Sequence, residues 1–374
     1  HGQPFEAWLP ASGARPAPAE IAPRQAFNII YSSGTTGEPK GIVQSFEMRW
    51  TQLFRAINLG YGRDVVTLVS TPLYSNTTLV SFFPTIGYGG TVVLMDKFDA
   101  VRFLELAERH RVTHAMLVPV QYQRIMGVPD FDRFDLSSFR VKLSTSAPFN
   151  AALKADVLKR WPGGLTEYYG MTEGGGTCCL EAHLFPEKLA TVGKPLPGHD
   201  IRLIDEEGRE VGQGEIGEVV GHSTAVMNGY YKRDDKTAAA EWFDAEGRRF
   251  IRTGDVGRFD KDGFLTLMDR KKDMIISGGF NIYPSDLEAE LITHPDVLEA
   301  AVVGVPSQDW GETPVAFVVA KAGKDLDADA LKNWLNGRVG KTQRLAALRV
   351  MQQLPRSGIG KILKRELRDS FGSL

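Results

Sequence analysis

A glycine- and hydroxyl-rich segment, residues 31–41 (YSSGTTGEPKG), constrains this chain more than any other feature. It follows an aromatic and β-branched run that is typical of a buried strand. The glycines let the backbone approach a polyphosphate closely, while the hydroxyls and the lysine donate to anionic oxygens. The segment is not a Walker loop, because Pro-Lys-Gly replaces the Gly-Lys-Ser/Thr ending. We predict a phosphate-binding loop, with a solvated Ser/Gly turn as the alternative. Its binding residues are Ser32, Ser33, Gly34, Thr35, Thr36, Gly37 and Lys40.

The order of apolar runs predicts an α/β fold. Strand-like runs at 65–69, 91–95 and 115–118 alternate with helices that Asp99 and Asn150 are expected to cap. Shorter strand-like runs after about residue 195 predict a small β-rich subdomain, and the alternation restarts after residue 271. There, Ser285 and Glu288 have the spacing of a capping box, and Asp327 is expected to cap a further helix. We predict two domains, residues 1–271 and residues 272–374.

Composition narrows the classes of partner. A net charge of -2 gives no global basic field, so we expect neither nucleic acid nor anionic membrane as a partner. The chain has no run of about 18 apolar residues and no secretory signal at its start, so we expect no transmembrane segment. The two cysteines, Cys178 and Cys179, are adjacent, which suits a reducing compartment and predicts a cytoplasmic location. The sequence leaves open whether the protein forms a homo-oligomer.

Three further motifs follow the loop in order: residues 169–173 (YGMTE), 252–255 (RTGD) and 354–362 (LPRSGIGKI). With them the chain resembles the adenylate-forming (AMP-binding) superfamily, in particular its acyl-CoA synthetases and aryl-CoA ligases. The resemblance covers nearly the whole chain from Tyr31. It implies an N-terminal domain that is α/β with a β-rich part, followed by a small, mobile α+β lid domain. Relatives carry a substantial subdomain before the loop, where this chain has only thirty residues, so we expect the N-terminal domain to be incomplete.

The resemblance implies that ATP, Mg²⁺ and coenzyme A take part. Tyr169–Gly170 would offer the aromatic face for adenine, and Thr172 would hydrogen-bond a phosphate. Glu173 supplies the hard oxygen ligand that suits Mg²⁺. Asp255 would accept the ribose hydroxyls, and Arg270 is expected to reach the same ribose. Taken alone, the first motif reads equally well as a capped turn, and the charges around Arg270 read as a solvated hairpin.

The resemblance also assigns roles to the lid domain. Lys361 is the expected catalytic lysine of adenylation, since a mobile cation stabilises the charge on the α-phosphoryl oxygens. Gly278 and Gly279 would line the tunnel for the pantetheine arm, and Lys272 would be the hinge. The alternatives are an exposed basic residue for Lys361 and a tight turn for the glycine pair.

The residues expected to line the acyl pocket depart from the family pattern. Many relatives have an aromatic residue followed by histidine where this chain has Ser75–Asn76. Gly174 to Gly176 stand where bulkier residues often line the pocket, so they would either open space for a larger acyl group or loosen the loop. The predicted pocket residues are Tyr74, Ser75, Asn76, Ser146, Gly174 and Gly175.

The motifs together predict an AMP-forming acid–thiol ligase that activates a fatty or aryl carboxylic acid with ATP and transfers the acyl group to coenzyme A. An adenylation enzyme that loads a carrier protein is one alternative, and oxidative luminescence is a remoter one. A nucleotide-binding fragment without full activity is the alternative of another class. Carboxylate-dependent exchange of pyrophosphate into ATP separates catalysis from binding alone.

Overall fold

The structure, a computed structural model, describes residues 4–15, 17–32, 39–357 and 360–372. The strands before residue 271 are β1 (Ala26–Ser32), β2 (Lys40–Ser45), β3 (Val66–Val69), β4 (Thr91–Leu94), β5 (His114–Leu117), β6 (Val141–Ser144), β7 (Gly164–Tyr169), β8 (Cys178–Glu181), β9 (Lys194–Pro195), β10 (Asp200–Ile204), β11 (Gly217–His222), β12 (Gly229–Tyr230), β13 (Glu241–Phe243), β14 (Arg249–Phe259) and β15 (Leu265–Arg270). The α-helices of the same part are α1 (Phe5–Trp8), α2 (Phe46–Arg55), α3 (Asn76–Gly87), α4 (Ala100–Arg109), α5 (Pro119–Met126), α6 (Ala151–Arg160) and α7 (Asp234–Ala239).

The largest sheet has the strand order β4-β3-β5-β6-β7-β8-β9. Strands β3 to β7 run parallel and are joined by α3 to α6, while β8 and β9 are antiparallel additions. The predicted caps are confirmed: Asp99 accepts from the backbone N–H of Arg102, and Asn150 accepts from those of Ala152 and Leu153. The core of this sheet is built around the buried Trp161, which contacts several aromatic rings. Its carboxyl edge is where parallel α/β sheets bind ligands.

Two smaller sheets complete this part of the chain. Strands β1, β2 and β12 form a three-stranded antiparallel sheet, and α2 begins directly after β2 at its N-cap Ser45. Strands β10, β11, β14 and β13 form a second sheet, to which β15 is added through β14. This is the predicted β-rich region, and it brings the end of β15 beside Asp255.

The remainder forms a separate α+β layer, as expected for the lid. Its elements are β16 (Ile275–Ser277), β17 (Phe280–Ile282), α8 (Pro284–Ile292), β18 (Val297–Ser307), β19 (Gly311–Ala320), α9 (Ala328–Asn336), β20 (Ala347–Met351) and α10 (Lys364–Phe371). Asp327 caps α9 as predicted. The five strands form one sheet, and in the described residues it shares no strand with the sheets before residue 271. A boundary at residues 271–272 fits this separation and stays a prediction.

The predicted capping box at Ser285 is wrong. Helix α8 begins one residue earlier, at Pro284, because proline suits the first helical turn. The Ser285 hydroxyl instead donates to the carbonyl of Met268, and its backbone N–H donates to Asp269 at 2.9 Å. Glu288 accepts from Val302 N–H and from Lys364 Nζ. Long-range partners have thus displaced the local cap. None of the described helices has the length and apolar character needed to span a bilayer.

Candidate active site

The predicted phosphate loop connects two paired strands. Strands β1 and β2 pair as an antiparallel hairpin, and Ser32 at the end of β1 lies opposite Lys40 at the start of β2. Ser33, Gly34, Thr35, Thr36 and Gly37 lie outside the described residues. The placement of Ser32 and Lys40 at the ends of the two strands agrees with the expected loop.

Lys40 and Glu173 lie on either side of one tyrosine. The ammonium of Lys40 is 4.8 Å from the centroid of the Tyr230 ring, and the Tyr230 hydroxyl donates to Glu173 Oε1 at 2.8 Å. Burial, and then the Glu173 carboxylate, raise the pKa of Tyr230, so this hydroxyl stays protonated and donates. Glu173 is itself buried, and its backbone carbonyl accepts from Met227 N–H. The arrangement brings the hairpin lysine and the predicted metal ligand together.

Glu173 suits Mg²⁺ as part of a shared ligand set. In the described residues, no group of three or more His, Cys, Asp or Glu side chains could hold a metal ion by itself. Mg²⁺ in phosphate chemistry usually takes one or two carboxylates, with substrate phosphates and water as its other ligands. One fixed carboxylate beside a phosphate loop fits that pattern. Tyr230 donates to Oε1, and the Glu173 carboxylate would hold the ion.

The predicted adenosine-binding residues are neighbours. The hydroxyl of Tyr169, at the end of β7, donates to Asp255 Oδ2 at 2.9 Å. Asp255 follows Gly254, whose φ of +71° is the left-handed conformation that a tight turn needs. Its backbone N–H donates to the Thr253 hydroxyl, and it pairs across β14 and β15 with Arg270. For Arg270 the structure describes the backbone only. An aromatic face and a carboxylate are therefore side by side, as adenosine binding would require.

The loop that carries Lys361 lies at the same carboxyl edge of the parallel sheet. Gly360 has a φ of +78°, and a Cβ there would lie 2.7 Å from Cγ1 of Val120, in the first turn of α5 after β5. Arg356 stabilises the loop from within, donating to the Gly360 carbonyl and forming an ion pair with Glu299 at 2.7 Å. The lid thus presents the Lys361 loop to the core.

The glycine pair expected to line the pantetheine tunnel is the turn of the β16–β17 hairpin. Gly278 and Gly279 have φ values of +55° and +83°. Gly278 N–H donates to the Trp310 carbonyl, and apart from its chain neighbours no described residue has an atom within 4 Å of the Cβ position of Gly279. Lys272 lies in the turn between β15 and β16, where Lys271 N–H donates to the Gly254 carbonyl. The hinge and tunnel roles stay predictions.

The predicted acyl-pocket residues lie around the start of α3 and the end of β6. Tyr74 is exposed, Ser75 is the buried N-cap of α3, and Asn76 is its first residue. Ser146 has a φ of +80°, a strained conformation for a serine, and its hydroxyl hydrogen-bonds that of Thr77 at 2.6 Å. Strain of this kind concentrates at functional sites. Pocket lining by these residues is untested.

The expectation that the glycines after Glu173 open space needs correction. A Cβ on Gly174 would overlap the carbonyl oxygen of Ala225, and one on Gly175 would lie 2.7 Å from the carbonyl oxygen of Gly221. Both glycines also have a positive φ. The volume of their missing side chains is therefore occupied by neighbouring backbone. Glycine is needed here for close packing, and a role in lining the acyl pocket would have to come from backbone atoms alone.

Sequence reasoning missed three residues that contact the site: Gln44, Arg49 and Tyr230. Gln44 is fully buried and donates from Nε2 to the Thr172 carbonyl at 2.7 Å. The only signal in the sequence was that Gln44 and Arg49 are polar residues next to buried apolar ones in β2 and α2. That signal cannot name a partner, because Thr172 is 128 residues away from Gln44.

Comparisons with known proteins match both parts of the chain. A family model described as AMP-binding enzyme matches residues 2–231, and one described as AMP-binding enzyme C-terminal domain matches residues 286–361. Feruloyl-CoA synthase of an Amycolatopsis species is 38% identical over 352 residues, which cover 92% of this chain and 70% of that protein. A 2-succinylbenzoate–CoA ligase of Bacillus licheniformis is 37% identical over 348 residues, covering 91% of this chain and 70% of that protein.

Solved structures agree on the fold. ATP-bound MatB from Rhodopseudomonas palustris matches with a TM-score of 0.87 and 30% identity, covering 96% of this chain and 70% of that one. The apo structure of the same protein matches with a TM-score of 0.72 at the same identity and coverage. Both structures are of the same named protein and match with equal identity and coverage, so the difference in score reflects their shapes. The present arrangement is closer to the ATP-bound one.

Proposed function

The chain belongs to the AMP-binding enzyme family, and from that premise we propose that it is an AMP-forming acid–thiol ligase. It activates a carboxylic acid with ATP and transfers the acyl group to coenzyme A. The observation that carries the proposal is the position of the Lys361 loop. It lies against Val120 at the sheet edge where Tyr169 and Asp255 also meet. A cation close to an adenosine site is what adenylation requires.

In the first half-reaction, the substrate carboxylate attacks the α-phosphorus of ATP in line, which forms the acyl-adenylate and releases pyrophosphate. Asp255 holds the ribose, and Tyr169 offers its ring to the adenine. Lys40 and Lys361 stabilise negative charge on the phosphoryl oxygens as it develops. Mg²⁺, held by Glu173, would neutralise charge on the polyphosphate. The likeness to an ATP-bound structure supports this half-reaction as the one for which the lid is arranged here.

In the second half-reaction, a thiol attacks the acyl carbon and AMP leaves. The lid would turn about Lys272, which moves Lys361 away and brings the Gly278–Gly279 turn to the adenylate. Gly278 packs against the Trp310 ring, whereas Gly279 leaves room for a thin pantetheine arm along the backbone. The acceptor is coenzyme A in this proposal.

Replacement of Lys361 separates the two half-reactions. Lys361→Ala should abolish carboxylate-dependent exchange of pyrophosphate into ATP, yet retain transfer from a supplied acyl-adenylate to coenzyme A. Arg365→Ala is the matched control, because Arg365 is an exposed cation nearby, on α10. The assignment of Lys361 is wrong if both half-reactions survive in Lys361→Ala. If none of the carboxylic acids tested supports pyrophosphate exchange by the unaltered chain, the chain is a nucleotide-binding protein instead.

We further propose that the acid carries an aryl group. Two relatives act, by their names, on feruloyl and 2-succinylbenzoate groups. Fatty acids are the competing class, since a medium/long-chain-fatty-acid–CoA ligase of Mycobacterium tuberculosis is also 31% identical. A screen of both classes for AMP release, with and without coenzyme A, decides between them. AMP release that requires a pantetheinylated carrier protein in place of coenzyme A would support the carrier-loading alternative.

A further inference from the structure

Arg49 is a buried cation whose partners are neutral. Its side chain on α2 is 6% exposed, and burial lowers the pKa of the guanidinium to about 10, which keeps it charged at neutral pH. In the described part of the chain it forms no ion pair with a carboxylate. Four amide oxygens surround it instead, and the Phe83 ring lies 5.5 Å away. Burying a charge without a counter-ion is costly, so such a group usually has a specific role.

The four amides and Arg49 form one cluster, which we call the Arg49 cluster. Nε donates to Asn28 Oδ1 at 3.1 Å. Nη1 donates to Gln52 Oε1 at 2.8 Å and to Asn76 Oδ1 at 2.9 Å, and Nη2 donates to Gln44 Oε1. A guanidinium has only donors, so it fixes the orientation of every amide that it contacts. Each oxygen points toward Arg49. The NH₂ group of Asn28 donates to Gln44 Oε1 at 3.3 Å within the cluster, whereas the NH₂ group of Gln44 points out of it.

The Arg49 cluster connects parts of the site that are distant in sequence. Gln44 Nε2 donates to the Thr172 carbonyl at 2.7 Å, next to Glu173. Asn28 and Gln44 belong to β1 and β2, the two strands that flank the phosphate loop. Asn76 is the first residue of α3, on the side where we place the acid. One guanidinium thus joins the hairpin, the segment of Glu173 and the start of α3.

We propose that Arg49 is a positioning residue that holds the acid side of the site in register with the phosphate side. The inference rests on the proposed function, because it assigns α3 to the acid and the β1–β2 hairpin to ATP. The two substrates are separate molecules before adenylation, so their alignment depends on the walls that bind them. After adenylation the acyl group and AMP are one molecule, and a covalent bond fixes their alignment.

This difference predicts a selective defect. Misplacing two reactants by about an ångström can reduce a rate by about a hundredfold. Arg49→Lys keeps the charge, but its three donors diverge from a single nitrogen and cannot match the planar fork. We expect Arg49→Lys to slow acid-dependent pyrophosphate exchange about tenfold to a hundredfold and to raise the KM for the acid. Transfer from a supplied acyl-adenylate to coenzyme A should stay close to that of the unaltered chain.

Two comparisons separate positioning from simple loss of structure. Arg55→Lys is the matched control on the same helix, because Arg55 is half-buried and contacts His199 outside the cluster. Asn76→Ala removes the link from Arg49 to α3 together with a predicted pocket side chain, and its effect on pyrophosphate exchange combined with that of Arg49→Lys should be less than additive. Equal losses in both half-reactions of Arg49→Lys would overturn the proposal, and so would full additivity with Asn76→Ala.

A measurement without catalysis tests the cluster even if the chain shows no ligase activity. In hydrogen–deuterium exchange, Arg49→Lys should increase exchange together in β1–β2, in residues 171–173 and in the first turn of α3. Arg55→Lys should leave these three segments unchanged. If Arg49→Lys changes α2 alone, the proposal is wrong, whatever the activity. Absence of pyrophosphate exchange in the unaltered chain would instead contradict the proposed function, and deuterium exchange would still decide on Arg49.

Discussion

Removal of one hydroxyl, in Tyr230→Phe, should weaken the use of Mg²⁺ and ATP without disturbing the fold of the site. The Tyr230 hydroxyl donates to Glu173 Oε1 at 2.8 Å, and the two residues are 6% and 9% exposed, so water barely competes. A hydrogen bond to a charged group contributes about 1.5–3 kcal/mol. At 1.36 kcal/mol for each factor of ten, its loss corresponds to about a tenfold to hundredfold effect. Replacing a residue that hydrogen-bonds a metal ligand typically lowers metal affinity or activity by a similar factor of about 10–100.

The measurement is the rate of acid-dependent pyrophosphate exchange as a function of free Mg²⁺ at a fixed ATP concentration. Tyr230→Phe should need more Mg²⁺ for half-maximal rate, while the phenyl ring still lies beneath Lys40. Tyr231→Phe is the matched control, because Tyr231 is 46% exposed and no described residue hydrogen-bonds its hydroxyl. An unchanged Mg²⁺ dependence in Tyr230→Phe would refute the reasoning that Tyr230 holds Glu173 for the metal.

Two further predictions concern stability. Gly174→Ala should lower the free energy of unfolding in urea by more than about 2 kcal/mol, because its Cβ would overlap the Ala225 carbonyl. Gly254→Ala is the control: its φ is similar but the space around it is open, so it should cost only about 1 kcal/mol of backbone strain. Equal losses would contradict the packing argument. Burial raises the pKa of Glu167 to about 7, against the opposing effect of Lys154. Because its pKa is raised, Glu167 stays protonated to a higher pH in the folded state than in the unfolded state. Its contribution to the free energy of unfolding, about 3 kcal/mol, is therefore complete below about pH 4.5 and is lost as the pH rises toward 7. Urea unfolding of Glu167→Gln across this range should lack that slope, and an identical slope in both proteins would show that Glu167 is not its source.

Local interactions explain which parts of the structure were predictable. Asp99, Asn150 and Asp327 cap helices through backbone N–H groups two or three residues away, so a short stretch of sequence contains both partners. Strand periodicity is local in the same way and gave β3, β4 and β5 to within one residue, whereas the parallel strands β6 and β7 were not predicted. The glycine- and hydroxyl-rich loop and the order of the later motifs likewise indicated the family before any geometry was known.

Packing between distant segments explains what was missed. Ser285 and Glu288 have the spacing of a capping box, yet their side chains bind Met268, Lys364 and the Val302 N–H. Nothing in the sequence of residues 174–176 indicates that the backbone of Ala225 and Gly221 occupies the space at their Cβ positions.

The sequence by itself determined the elements, the two-domain α/β architecture and the chemical types of side chain at the site. Only the tertiary structure decided which of these side chains meet. Tyr230 lies 57 residues from Glu173, and Arg49 gathers amides from four elements or loops around one guanidinium. Such partners carry no periodic signal, because a hydrogen bond depends on the final distance between two atoms and not on their separation along the chain.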